Sequence, residues 1–221
     1  MQKVIIFGTS SFAKQMLYCF NLTSEYEIVG FALDAKYITT DSFCGLPIYS
    51  TSEMLEIIKA EKIKCFLALG YKDMRARARK YDQLKNKNVS FVNYISPYSA
   101  LHIETTDIGE NSIILANTTI EPFTRIGNNV FVWSGVTICH DVVVNDHNFI
   151  AAGTVIGGQT IIAENCFLGF HCTVGNNISI AKETLVAANS FVQDDTEAHG
   201  FYVGSPAVKK SMHKISGIQI N

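Results

Sequence analysis

Reading every sixth residue from Ile108 gives Ile108, Ile114, Ile120, Ile126, Val132, Ile138, Val144, Ile150, Ile156, Ile162, Leu168, Val174, Ile180, Val186 and Val192. Fifteen aliphatic residues thus share one register without a gap, which chance does not sustain even in a chain that is 48% hydrophobic. Four residues after most of them comes a small or β-branched residue, such as Ser112, Thr118, Val136, Thr154 or Cys172, with Asn148 and Ile178 as exceptions. Asn and Gly clusters between them supply residues that tolerate positive φ at tight turns. The period is neither the 2 of a simple strand nor the 3.6 of a helix. A period of six predicts a β-helix in which three hexads make one coil of 18 residues, about five coils in all. Coils stack at strand spacing, about 4.7–4.9 Å, so residues 18 apart become neighbours.

Before this repeat the pattern alternates. "KVIIFG", "EIVGFALD", "CFLALG" and "VSFVNYI" read as strands; "SFAKQMLYCFN", "TSEMLEIIKAEK" with Ser52 as N-cap, and "KDMRARARKYDQLKNK" read as helices. Such alternation implies a small parallel sheet covered by helices, with ligands bound beyond the C-terminal strand ends. The expected fold class is therefore α/β followed by all-β: a Rossmann-like domain over 1–95 and a β-helix over 96–221.

Composition narrows the partners. A net charge of −2 and a pI near 6.3 argue against nucleic acid as the main ligand. The apolar run in "MQKVIIFGTSS" is too short for a secretory signal, and no stretch approaches the ~20 residues of a membrane span, so the chain is expected to be cytoplasmic. Six cysteines (Cys19, Cys44, Cys65, Cys139, Cys166, Cys172) show no CxxC spacing and are expected to be free thiols.

Chemistry concentrates in "ICHDVVVNDHNF", residues 138–149. Taken alone, His140 and Asp141 fit exposed turn residues of the sixth hexad. The 18-residue coil adds Gly158 of "VIGGQ" beside His140, so a histidine that titrates near neutrality would lie next to a free backbone N–H, a general base next to an oxyanion donor. In "FGTSSFAK" only Gly8 of a dinucleotide glycine motif is present, with Ser10 and Ala13 at the other motif positions, which argues against NAD.

The unbroken hexads, the His-Asp pair, the closing "VGSPAVKK" and the preceding α/β domain resemble the bacterial nucleotide-sugar acetyltransferases of bacillosamine, perosamine and viosamine biosynthesis, and the sialic acid O-acetyltransferases. The resemblance implies a left-handed β-helix, a homotrimer with active sites between subunits, and acetyl-CoA as co-substrate. It implies that His140 is the base, Asp141 its orienting carboxylate and Gly158 the amide that holds the thioester oxygen. Acetyl-CoA would run past Gly158, Phe170 and Ala188, with Lys209 or Lys210 near its phosphates. The nucleotide of an activated sugar would lie on Gly8, Thr9, Ser10, Ser11, Asp34, Gly70, Tyr71 and Lys72, where Asp34 accepts a ribose or base hydrogen bond and Tyr71 stacks.

This sequence departs from that family at two places: Phe149 stands where a second histidine is usual, and Trp133 where an asparagine is usual. A shared zinc site is not expected, because His140, His147 and His171 fall in hexads of three different sides. The expected function is N-acetylation of a nucleotide-linked amino-deoxysugar for bacterial surface glycans. O-acetylation of a sialic-acid-like sugar and a non-catalytic scaffold are the alternatives.

Overall fold

The computed structural model describes residues 1–213 and 215–220. Its contacts divide the chain into two compact units, Met1–Gly70 with Arg79–Tyr94, and Tyr71–Ala78 with the residues from Ile95 onward. The second unit therefore starts near the expected boundary but also takes in an eight-residue segment from the expected first domain. Lys214 and Asn221 of the expected second domain lie outside the described residues.

In the first unit, strands β1 (Gln2–Phe7), β2 (Tyr26–Leu33), β3 (Ser42–Phe43), β4 (Leu46–Ser50) and β5 (Lys64–Leu67) form one sheet in the order β3-β4-β2-β1-β5. All neighbours are parallel except the β3/β4 hairpin, which the sequence reading missed. Its turn is Cys44-Gly45, both at positive φ, the backbone that primed hairpin turns require. Helix α1 (Ser11–Asn21) starts where Ser10 Oγ accepts the Ala13 N–H at 3.4 Å. Helix α2 (Thr51–Glu61) is capped by Ser50, one turn position earlier than the expected Ser52. Glu53 decides this, because three residues after Ser50 it closes a reciprocal capping box. The run "VSFVNYI" meets β5 only through a single parallel bridge, Cys65 to Phe91, rather than as a full strand.

The second unit contains the coil. Its strands are two residues long and fall into three parallel sheets whose partners are 18 residues apart, as in Thr137↔Val155, Val143↔Ile161 and Phe149↔Phe167. Inward aliphatics from Ile114 to Val192 form one continuous buried column. Fourteen corners, every sixth residue from Asn111 to Asn189, take positive φ. The residues four after each inward aliphatic are buried as well, and their polar atoms are used: Thr118, Thr124, Thr154 and Thr160 each donate to a carbonyl 15 residues on, at 2.9–3.1 Å. Asn148 breaks the small-residue pattern for the same reason, donating to Asn145 O and Ala163 O and accepting from the Cys166 N–H.

Tyr71–Ala78, including the first turn of helix α3 (Met74–Lys85), packs within this unit. Arg77 is 1% exposed; its guanidinium donates to the carbonyls of Asn129, His147 and Asn148 and lies 4.3 Å over the Phe131 ring. Burial pushes it down to about 9, still charged at neutral pH. Arg75 forms a bidentate pair with the buried Glu183. The chain end returns here, with Ile220 N–H on Lys72 O and Met74 N–H on Ile218 O.

Candidate active site

His140 is placed by the repeat. Ile138 and Ile156 are paired across adjacent coils in the buried column, so the corner two residues beyond each brings His140 and Gly158 together. Gln159 N–H donates to His140 O at 3.0 Å, tying the two corners. A Cβ on Gly158 would sit 2.9 Å from His140 Nε2 and 3.0 Å from Cε1, so glycine is what lets the imidazole lie against this coil.

Asp141 Oδ2 lies 2.8 Å from His140 Nδ1. With the carboxylate ionised, Nδ1 is the donor of that bond, a tautomer assigned from the network, and Nε2 is left as a proton acceptor. Both side chains are about half exposed, at 57% and 50%, so reagents can reach them. Two further residues, which the sequence reading missed, complete the corner. Glu121 Oε2 accepts the His140 N–H at 2.8 Å. Asn176 Oδ1 accepts the Gly158 N–H at 2.9 Å. The Gly158 amide expected to be free is thus engaged, by a side chain one coil further on; Asn176 is exposed and able to turn outward. The signal for Asn176 was the same spacing of 18, applied once more.

Phe170 and Ala188 occupy another corner, one coil apart and both exposed, with Asn189 N–H on Phe170 O. Lys209 is paired with Glu197 at 2.5 Å. Phe149 and Trp133 are neighbours, with rings 5.7 Å apart, in an aromatic cluster that includes Tyr71 (4.5 Å from Phe149) and a parallel Phe149–Phe167 stack at 5.1 Å. The two departures from the family pattern are therefore one change, and Tyr71 stacks on protein rings. His147 Nδ1 is 3.0 Å from Asn129 Nδ2, in a ladder of corner side chains. Among the described residues no group of three or more His, Cys, Asp or Glu is placed to hold a metal ion.

In the first unit the strand ends converge as expected. Gly8, at φ 129°, donates to Ala32 O, and a Cβ on it would lie 2.8 Å from Ala68 O. Asp34 follows β2 and is held by Lys80 at 2.8 Å and by the Thr51 hydroxyl at 2.8 Å. Partial burial raises its acidity constant, but the two donors outweigh burial and hold the carboxyl below its usual range. Thr9 and Gly70 are half-buried near these ends, and Ser11 is exposed. Tyr71 and Lys72 belong to the other unit.

Residues 3–84 match the PglD N-terminal domain family, and residues 105–140 and 123–158 match the bacterial transferase hexapeptide (six repeats) family. The chain is a hexapeptide-repeat transferase with a PglD-type N-terminal domain. No curated protein matches it in sequence. Among solved structures, PerB from Caulobacter crescentus, in complex with CoA and GDP-perosamine, is 21% identical with a TM-score of 0.84, over 96% of this chain and 98% of that one. The acetyltransferase domain of PglB from Neisseria gonorrhoeae FA1090, in complex with acetyl coenzyme A, is 18% identical with a TM-score of 0.80, over 95% and 99%. WeeI from Acinetobacter baumannii AYE is 19% identical with a TM-score of 0.80, over 95% and 100%. The hexapeptide-repeat transferase thus has their architecture, a small Rossmann-like domain followed by a left-handed parallel β-helix.

Proposed function

We propose that this transferase moves the acetyl group of acetyl-CoA to the amine of a nucleotide-linked amino-deoxysugar for bacterial surface glycan synthesis. The observation that carries the reading is the His140 imidazole, oriented through Nδ1 by Asp141 and presenting Nε2 at Gly158. Nε2 takes a proton from the acceptor amine as its nitrogen attacks the thioester carbon. The C–N bond forms, the C–S bond breaks, and the imidazolium returns the proton to the departing CoA thiolate. The Gly158 N–H stabilises the thioester oxygen once Asn176 turns aside, and positioning of both substrates supplies the rest of the rate.

Gly158, exposed Phe170 and small Ala188 would flank the pantetheine, with Lys209 turning from Glu197 to a CoA phosphate. Gly8, Thr9, Ser10, Ser11, Asp34 and Gly70 would hold the nucleotide, with backbone N–H groups at the start of α1 facing phosphate. Tyr71 and Lys72 are lesser contributors on this reading, since Tyr71 is occupied by Phe149. A homotrimer would place each His140 against a neighbouring subunit, and the cytoplasm is where both substrates are made. PerB, crystallised with CoA and GDP-perosamine, is the relative that supports this pairing of ligands.

The test is acetyl-CoA thiol release with UDP-, dTDP- and GDP-linked 4-amino sugars and with free sialic acid, followed by NMR of the product. An amide product on a nucleotide sugar is expected. An ester on sialic acid would replace this reading with O-acetylation, and no turnover with any acceptor would leave a scaffold.

A further inference from the structure

The fourteen positive-φ corners of the coil carry Asn at six positions and Gly at two, with Asp141, His147, Gln159, His171 and Glu183 at five more. The remaining corner is Phe123, at φ 65°. A left-handed backbone disfavours a bulky side chain, which is why the other corners use Gly or residues whose short polar groups bond locally. Burial does not compensate Phe123, because its ring is 63% exposed. A position unfavourable in both conformation and solvation points to use rather than packing.

The corner has a specific place. Phe123 lies 18 residues before Asp141, and the Asp141 N–H donates to Pro122 O at 3.2 Å, so the aromatic corner adjoins the His140–Asp141 pair on the preceding coil. Phe123 and Pro122 form the apolar side of a groove of about 580 Å³, whose other walls include His102, Glu104 and Thr105. That volume falls within the ~300–1,000 Å³ range of small-molecule sites. An open aromatic face beside a few hydrogen-bonding groups suits a sugar ring, which offers C–H bonds on one face and hydroxyls at its rim.

We infer that Phe123 is the platform on which the acceptor pyranose stacks, and that it selects rings with a C–H-rich face such as deoxy sugars. The inference rests on the proposed transfer for its chemistry. The stacked ring turns its amine toward His140 Nε2, while His102 and Glu104 meet its hydroxyls. Phe123 is a specificity-determining residue and takes no part in proton transfer.

The test is Phe123→Asn, which installs the side chain most common at the other corners, beside Phe123→Tyr. Phe123→Asn should keep or raise the melting temperature, raise KM for the sugar acceptor about tenfold and leave KM for acetyl-CoA unchanged; Phe123→Tyr should restore the acceptor KM. A lower melting temperature for Phe123→Asn, an unchanged acceptor KM, or a rise confined to the acetyl-CoA KM would each overturn the inference. Saturation-transfer NMR with the methyl glycoside of 4-amino-4,6-dideoxyglucose reads the platform without turnover. Signal on the wild type that Phe123→Asn loses supports stacking even if no acetyl is transferred, whereas equal signal or none on both overturns it.

Discussion

Gly157 and Gly158 are adjacent, yet a methyl group added to each meets different matter. At Gly158 it would meet only the His140 ring, at 2.9 Å from Nε2, about 0.5 Å inside the 3.4 Å at which ordinary contact begins. The imidazole is 57% exposed and can retreat, and Gly158 is not at positive φ, so alanine fits its backbone. Gly158→Ala should therefore change stability by less than about 1 kcal/mol, or about 2–4 °C in melting temperature. A base displaced by about half an ångström should lose roughly 10- to 100-fold in kcat. At Gly157 the methyl would meet backbone of the next coil, Gly175 C at 2.6 Å and Asn176 N at 2.7 Å. Coil spacing cannot give there, so Gly157→Ala should cost about 1–3 kcal/mol or more. Thermal denaturation and thiol release, measured on both variants, check the contrast. Full activity in Gly158→Ala would refute the seat assigned to the imidazole; a stability loss matching that of Gly157→Ala would make His140 a packing residue.

Three further outcomes follow from the same geometry. Arg77→Ala should destabilise the fold by about 3 kcal/mol, because it removes a buried cation from three carbonyls and leaves a void, and chemical denaturation measures it. Burial raises Glu183, but Arg75 and then His199 outweigh it and hold the carboxyl below its usual range, so its contribution is present above the unfolded carboxylate value and is lost as pH falls through the lower folded one. Glu183→Gln should accordingly flatten the loss of stability between neutral pH and about pH 3 in an acid titration followed by circular dichroism. Asn176→Asp would keep an acceptor on the Gly158 N–H but set a negative charge where the thioester oxygen gains charge; kcat in the thiol-release assay should fall at least about tenfold with little change in melting temperature.

The coil was legible because its rule is local and repeated. Each inward aliphatic from Ile114 to Val192 is buried, and the 18-residue spacing placed His140 on Gly158 before any coordinates. The rule did not extend to what fills a hydrogen bond: the Gly158 N–H was taken as free, and only the side-chain position of Asn176 shows it engaged. Ser52 was read as a cap because the pattern marks a helix start within a residue or two, whereas Glu53 selects Ser50 through a reciprocal pair. Least legible was Tyr71–Ala78. Its helix reads as basic and solvated, yet Arg77 is buried against carbonyls and Arg75 meets Glu183, partners over 50 and 100 residues away that no local pattern encodes. Phe149 and Trp133 were read as two separate departures, and their contact makes them one.

The most direct measurement is the steady-state rate of thiol release from acetyl-CoA in the presence of a nucleotide-linked amino sugar, for the wild type and for His140→Ala of unchanged melting temperature. Removal of a general base predicts a loss of about 10²- to 10⁴-fold in kcat. A His140→Ala rate within about threefold of the wild type would contradict the assignment of His140 as the base.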